Sequence, residues 1–185
     1  MRIISGLYKG KSINFLKNLN TRPLKDSVKE NIFNVIKHSN LINVKIEEAN
    51  ILDLYSGIGS FGLECVSRGA KKVTFIENNR DAANILKENI NQLSIINKTK
   101  IINEKIENVL KNTIGKFNIF FLDPPFTDKN FIQILYLIKK IKIYDSKHII
   151  IIHRERKSDD NFIDLLDIIA TKNYGRSKII FCVFK

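Results

Sequence analysis

Four consecutive residues, Asp123-Pro124-Pro125-Phe126, combine a carboxylate, two backbone-fixing rings and an aromatic face. They follow Phe117-Asn118-Ile119-Phe120-Phe121-Leu122, an apolar run of strand length. The prolines end that strand and stiffen the turn. A carboxylate and a ring are thereby expected at the carboxyl end of a strand, where open α/β sheets place their ligands. Such a turn suits the exocyclic amine of a nucleobase. Asp123 and a neighbouring carbonyl, that of Pro124, can accept the two N–H hydrogens, and Phe126 can stack on the base. Asp123, Pro124, Pro125 and Phe126 are therefore the expected catalytic group.

A second pattern lies upstream. Ile51-Leu52-Asp53-Leu54-Tyr55-Ser56-Gly57-Ile58-Gly59-Ser60-Phe61-Gly62 reads as a strand, a glycine-rich turn and a helix start. Gly57, Gly59 and Gly62 match the dinucleotide spacing G-x-G-x-x-G, in which glycines allow a tight turn and close ligand approach. Asp53 changes the reading, because an acid aimed into the loop repels a pyrophosphate and accepts from a positively charged amino-acid group. S-adenosylmethionine carries that group; NAD does not. Asp53, Ser56, Gly57 and Gly59 are the expected contacts to it. An ordinary tight turn would also use the glycines but would not need the acid.

Glu77 ends the next strand, in Phe75-Ile76-Glu77-Asn78-Asn79, where an acid typically accepts from both ribose hydroxyls. Asn78 is expected beside the adenine. Further on, Ile101-Ile102-Asn103-Glu104-Lys105-Ile106 leaves Glu104 and Lys105 as alternatives for the place where such folds carry an acid toward the adenine amine. Thr21-Arg22-Pro23 with Asp26 and Glu30 opens the first helix and could face the cofactor or an RNA backbone, or be a solvated helix start. His153-Arg154-Glu155-Arg156 follows another apolar run. Arg154 or Arg156 could contact a substrate phosphate there, structural charge pairing is the favoured role, and His153 is not a convincing base. No serine or cysteine triad assembles, and no Cys/His cluster has metal-ligand spacing, so no metal is expected.

These residues need a frame of alternating strands and helices. Strands are expected at Ile51–Leu54, Lys72–Ile76, Lys100–Asn103, Phe117–Leu122, His148–Ile152 and Lys178–Phe184. Helices are expected at Lys25–His38, Ser60–Ser67, Arg80–Leu93, Glu104–Asn112, Asn130–Lys140 and Asn161–Ala170. Such alternation means an α/β fold with a mostly parallel sheet covered on both faces. Ahead of it, Arg2–Ser5 and Lys11–Phe15 read as a hairpin with a basic tip, residues 18–23 as a linker, and the stretch up to Ala49 as a polar loop.

The 185 residues, 44% of them hydrophobic, suffice for one domain with a core and a small appendage. The expected division is a hairpin-and-helix extension over 1–45 and an α/β domain over 46–185 that carries the expected S-adenosylmethionine contacts. The chain carries 31 Lys+Arg against 19 Asp+Glu, a formal net charge of +12. That excess favours a polyanionic partner, although the abundance of Lys, Ile and Asn also matches an AT-rich coding bias. No apolar run approaches a membrane span, no secretory leader opens the sequence, and there is no lipidation motif. Two cysteines, Cys65 and Cys182, in apolar contexts fit a reduced, cytoplasmic protein.

Taken together, Arg2-Ile3-Ile4-Ser5-Gly6, Lys9-Gly10-Lys11, Thr21-Arg22-Pro23, Asp26–Glu30, Phe33-Asn34, Leu52–Gly57, Gly62-Leu63-Glu64, Ser67–Ala70, Asp123–Phe126 and Tyr174-Gly175 resemble the RsmD-type 16S rRNA guanine-N2 methyltransferases. These belong to the class I enzymes that use S-adenosylmethionine. The resemblance runs almost end to end. Ser27 and Lys29 depart from it where arginines are common, and Phe126 stands where tyrosine is usual, keeping the ring and losing the hydroxyl. The resemblance implies a Rossmann-like fold: a seven-stranded, mostly parallel sheet with an antiparallel last strand, preceded by a small hairpin-helix extension. It further implies a monomeric enzyme methylating N2 of a guanine in small-subunit rRNA, free or in a partly assembled subunit. Adenine-N6 methylation of DNA or RNA remains an alternative that the Asp-Pro-Pro-Phe turn alone does not separate. A non-catalytic RNA-binding assembly factor is another, disfavoured by the intact Asp53, Glu77 and Asp123. An NAD-dependent oxidoreductase is disfavoured by Asp53.

Overall fold

Alternation of apolar side chains along each strand builds two cores, one on either face of a single sheet. The computed structural model describes residues 1–15, 24–113, 115–162 and 164–185. Thr21-Arg22-Pro23 and the expected linker at 18–23 therefore lie outside the described residues.

The element order is α1 (Asp26–His38), β1 (Asn50–Leu54), α2 (Ser60–Ser67), β2 (Lys72–Ile76), α3 (Arg80–Leu93), β3 (Thr99–Ile102), α4 (Ile106–Lys111), β4 (Phe117–Leu122), α5 (Phe131–Ile141), β5 (Tyr144–Glu155), β6 (Leu166–Tyr174) and β7 (Ser177–Phe184). The seven strands lie in the order β3-β2-β1-β4-β5-β7-β6. Pairings through β5 are parallel, and β7 runs antiparallel to both neighbours. The order reverses between β1 and β4, which opens a crevice at their carboxyl ends. Ile51, Phe75, Phe121 and Ile151 face α1, α2 and α3; Leu52, Phe120, Leu122 and Ile150 face α4 and α5.

One expected element is corrected. Asn161–Ala170 was expected to be helical, because Phe162, Leu165, Leu166 and Ile169 recur at helical spacing. The helical character is a single turn, in which the Leu165 and Leu166 N–H groups both donate to the Phe162 carbonyl at 2.9 Å. Leu166–Tyr174 then pairs with β7 along its length, so sheet pairing overrides the local period. The expected hairpin is present in reduced form. A bridge joins Arg2 to Ser12, flanked by Ile3 N to Lys11 O (2.9 Å) and Ile13 N to Met1 O (3.0 Å). The stretch before β1 is anchored, with Ile42, Val44, Ile46 and Ala49 buried in the first core.

Buried polar side chains fasten the hairpin to the sheet's helices. Glu64 of α2, fully buried, accepts from Ile4 N (2.8 Å), Ser5 N (2.9 Å) and Arg68 Nε (2.9 Å). Lys29 of α1 donates to the Arg2 carbonyl at 2.9 Å and sits 3.7 Å from Glu64 Oε2. Burial pulls the Lys29 ammonium below the usual lysine range, against the pull of Glu64 and Asp26. Asn89 of α3 accepts from Asn14 N (2.7 Å) and donates to Asn14 O (3.1 Å) and Ile58 O (3.3 Å). Rings of Phe33, Phe61 and Phe121 stack at centroid distances of 5.2 and 4.1 Å, carrying packing from α1 through α2 to β4. Cys65 and Cys182 are buried and unbridged.

Candidate active site

The crevice at the sheet's reversal is a cleft of about 790 Å³. Asp53, Ser56, Gly57 and Glu77 line one part of it; Asp123, Pro124, Pro125 and Phe126 line another. The two expected groups thus share one cavity. Two expected contacts sit differently. Asn78 is exposed and does not line the cleft, whereas Asn79 does. Gly59 has φ +83°, and a Cβ there would lie 2.3 Å from Leu86 Cδ1, so its lack of a side chain serves packing. Gly62 does the same against the Phe75 ring at 2.3 Å. Gly57, at φ +54°, faces open space and leaves backbone accessible to a ligand.

Asp53 is 1% exposed. Its Oδ2 accepts from Gly62 N at 3.0 Å at the start of α2, while its Oδ1 is buried with no partner among the described residues. Burial pushes its carboxyl well above the usual carboxylate range; the Gly62 bond opposes this, and the charges of Asp123 and Glu77 add to it. Three carboxylates around one cleft, one of them with an orphaned buried oxygen, call for a cationic ligand. Ser60, which lines the same cleft, has its Oγ buried with no partner among the described residues. The residues present fit the amino-acid end of S-adenosylmethionine. Glu77 takes Gly57 N on Oε2 and Asn79 N on Oε1, both at 2.7 Å. Each carboxylate oxygen can accept again, so ribose hydroxyls remain within its capacity. Asn79 caps α3 by accepting from Ala82 N at 2.9 Å. Glu104 turns toward α4, accepting from Lys105 N (2.7 Å) and Asn108 Nδ2 (3.2 Å), and does not line the cleft.

The Asp-Pro-Pro-Phe turn is braced from β5. Arg154, 1% exposed, donates through Nη1 to the Pro125 carbonyl and through Nη2 to the Phe126 carbonyl, each at 3.1 Å. Its Nε and Nη2 fork onto Asp160 at 2.9 and 3.2 Å. Its guanidinium also lies 4.5 Å over the Phe131 ring. The expected structural pairing of Arg154 is what the geometry contains. The Pro124 carbonyl accepts from no described residue, and Pro124 is one of the residues that line the cleft. Phe126 is 41% exposed, an aromatic face at the rim.

The sequence reading assigns several residues of the site no role in it. Tyr55, at φ +57°, donates its hydroxyl to Asp128 Oδ2 at 3.1 Å and so ties the glycine loop to the segment after Phe126. Burial first, then the Asp128 charge, pushes its phenol above the usual tyrosine range. His153 Nδ1 lies 2.7 Å from Asp123 Oδ1. The Leu122–Ile152 register could have revealed this pair, since it sets the next residues side by side. Tyr174, Gly175, Arg176 and Ser177, the β6–β7 turn, close another wall of the cleft, together with Leu24, Lys25 and Val28 of the α1 end.

Residues 1–183 match the family described as Conserved hypothetical protein 95. Ribosomal RNA small subunit methyltransferase D of Haemophilus influenzae is 38% identical over 129 residues, 68% of this chain and 64% of that protein. Its counterpart in Buchnera aphidicola (subsp. Baizongia pistaciae) is 35% identical over 155 residues, 84% of this chain and 76% of that protein. The chain belongs to the RsmD-type methyltransferase family. Two solved structures support the fold. A methylase structure from Haemophilus influenzae superposes with TM-score 0.78 at 29% identity, covering 98% of this chain and 96% of that one. A methyltransferase structure from Escherichia coli does so with TM-score 0.83 at 24% identity, covering 100% and 98%. The family's match begins at residue 1, so the hairpin and α1 lie inside it. Among the described residues no helix is long and apolar enough to cross a membrane, and no cluster of potential metal ligands occurs.

Proposed function

We propose that this RsmD-type enzyme transfers a methyl group from S-adenosylmethionine to the exocyclic N2 of a guanine in small-subunit rRNA. The observation that carries this is the joining, in one cleft, of the orphaned Asp53 acceptor with the Asp123–Phe126 turn. When bound, S-adenosylmethionine supplies a methyl group on a good leaving group. Asp53 would take its ammonium, with Ser56, Gly57 and Gly59 shaping the loop around it. Glu77 would hold the ribose, and Asn78 would follow at the adenine end.

The guanine amine is a weak nucleophile, because its lone pair is conjugated with the ring. Asp123 and the Pro124 carbonyl would each accept one of its N–H groups and favour a more tetrahedral nitrogen, and Phe126 would stack on the flipped base. Pro125 would keep the turn rigid. These residues contribute orientation and electrostatic assistance. Asp123 need not remove the proton before transfer.

Residues 1–45 would serve as an extension to the methyltransferase domain at 46–185. Its basic hairpin and the exposed Lys25 and Arg176 at the cleft rim would meet RNA phosphates. A cytoplasmic monomer acting on rRNA, free or within a partly assembled subunit, completes the proposal. The test is transfer of labelled methyl to small-subunit particles lacking the modification, with the product nucleoside identified by mass. N2-methylguanosine supports the proposal. N6-methyladenosine moves it to the adenine reading, and no transfer despite cofactor binding removes the substrate.

A further inference from the structure

Strand β5 carries two histidines, and they are used differently. His148 satisfies both ring nitrogens: Nδ1 lies 2.8 Å from the Asp145 carbonyl, and Nε2 accepts from Phe184 N at 3.1 Å. It is a structural residue. His153 is 8% exposed, and its Nε2 is buried with no partner among the described residues. Its single polar contact there is Nδ1 to Asp123 Oδ1, at 2.7 Å. Since the partner is a carboxylate, Nδ1 is the donor. A histidine kept for packing alone would not be expected to leave one buried nitrogen unmatched and commit the other to an acid in the cleft.

The remaining geometry gives that contact a use. Asp123 is partly exposed to the cleft, and no described residue donates to its Oδ2. Oδ1 already takes the His153 bond, whereas Oδ2 takes none from a described residue and has the greater capacity for a ligand. The His153 ring also meets the Phe126 ring edge-on, with centroids 5.6 Å apart at 82°. One imidazole thus touches both the acceptor and the ring expected to stack. Arg154, its neighbour in the strand, is spent on Asp160 and the turn carbonyls and does not compete for Asp123.

We propose that His153 is a positioning residue: its Nδ1–H fixes the Asp123 carboxylate so that Oδ2 faces the substrate amine, and its ring sets the angle of Phe126. This rests on the reading of Asp123 as the amine's acceptor. The part of this role that acts on Asp123 is donation of one hydrogen bond in one direction, which the amide of an asparagine at 153 can imitate; the ring contact to Phe126 it cannot.

The test measures single-turnover methyl transfer to small-subunit particles and the cofactor dissociation constant for wild type, His153→Ala, His153→Asn and Asp123→Ala. His153→Ala is expected to slow transfer about 100-fold with the cofactor constant unchanged. His153→Asn is expected to return to within roughly tenfold of wild type. A wild-type rate in His153→Ala overturns the inference, as does an asparagine variant as slow as the alanine one. Should His153→Ala lose cofactor binding through misfolding, the asparagine variant decides alone. An inert Asp123→Ala beside a fully active His153→Ala sinks only the role of His153. An active Asp123→Ala sinks the reading of Asp123 and this inference with it.

Discussion

Arg154 and Asp160 form a fork-to-fork ion pair, Nε to Oδ2 at 2.9 Å and Nη2 to Oδ1 at 3.2 Å, with side chains 1% and 3% exposed. The same guanidinium holds the carbonyls of Pro125 and Phe126. Prolines stiffen a turn but cannot fix it to the sheet; Arg154 does that. Arg154→Ala strands a buried carboxylate and two carbonyls, and is expected to cost roughly 3–5 kcal/mol of stability in denaturant unfolding. Arg154→Lys keeps the charge without the fork. It is expected to lose activity out of proportion to its stability.

The Asp160 pair gives a pH signature. Burial opposes ionisation of Asp160, but its bonds to Arg154 and Ser158 win and hold its carboxyl below the usual carboxylate range. In the acid range the unfolded chain therefore binds more protons at this site than the folded one, so stability falls as pH falls. The stability difference between wild type and Asp160→Asn should be constant above about pH 5 and shrink below about pH 4. A difference that does not change on acidification would mean the pair contributes no charge-dependent stability.

Asp123→Ala is expected to lower methyl transfer by roughly 100-fold to 10,000-fold while leaving the cofactor dissociation constant near wild type. Activity within a few-fold of wild type would remove Asp123 from the mechanism. Phe126→Tyr keeps the ring and should retain activity, whereas Phe126→Ala should raise KM for RNA.

The cofactor half of the cleft separates binding from folding. Glu77→Ala should weaken S-adenosylmethionine binding, measured by calorimetry; an unchanged constant would remove the ribose assignment. Gly62→Ala should lower the melting temperature, because its methyl would meet the Phe75 ring. Gly57→Ala meets no atom within 4 Å, and its φ of +54° should cost about 1–2 kcal/mol.

Glu64 and Lys29 form the buried clasp of the hairpin, 3.7 Å apart. Glu64→Ala leaves the buried Lys29 ammonium with only the partly exposed Asp26 carboxylate, 3.8 Å away, and two hairpin N–H groups unpaired. It should lose roughly 3–5 kcal/mol in thermal or denaturant unfolding. Adding Lys29→Met should recover part of that loss, since the stranded charge is then gone.

What the sequence disclosed followed the range of each interaction. The Asp-Pro-Pro-Phe turn, the glycine loop and Glu77 are contiguous strings at strand ends, and they line one cleft. His153, Tyr55 and Arg154 act across strands or loops, and their partners Asp123, Asp128 and Asp160 are fixed by register and turn geometry that no local pattern records. The Phe162–Ile169 period misled for a related reason. One turn of helix satisfied it, and pairing with β7 decided the residues beyond. Lys29 stood out only as a departure from arginine, and its burial beneath the hairpin could not be read from composition.

The position of the crossover between β1 and β4 has an evolutionary consequence. Residues expected to grip the methyl donor come from β1, β2 and the loops after them, whereas those proposed to face the acceptor come from β4 and β5, with the β6–β7 turn beside them in the cleft wall. The two sets are carried by opposite flanks of the sheet and meet only along one seam. On the proposed reading, lengthening or reshaping the β6–β7 turn would change the acceptor side of the cleft without disturbing the donor's seat. A lineage can therefore change targets by remodelling one hairpin while the other flank stays fixed.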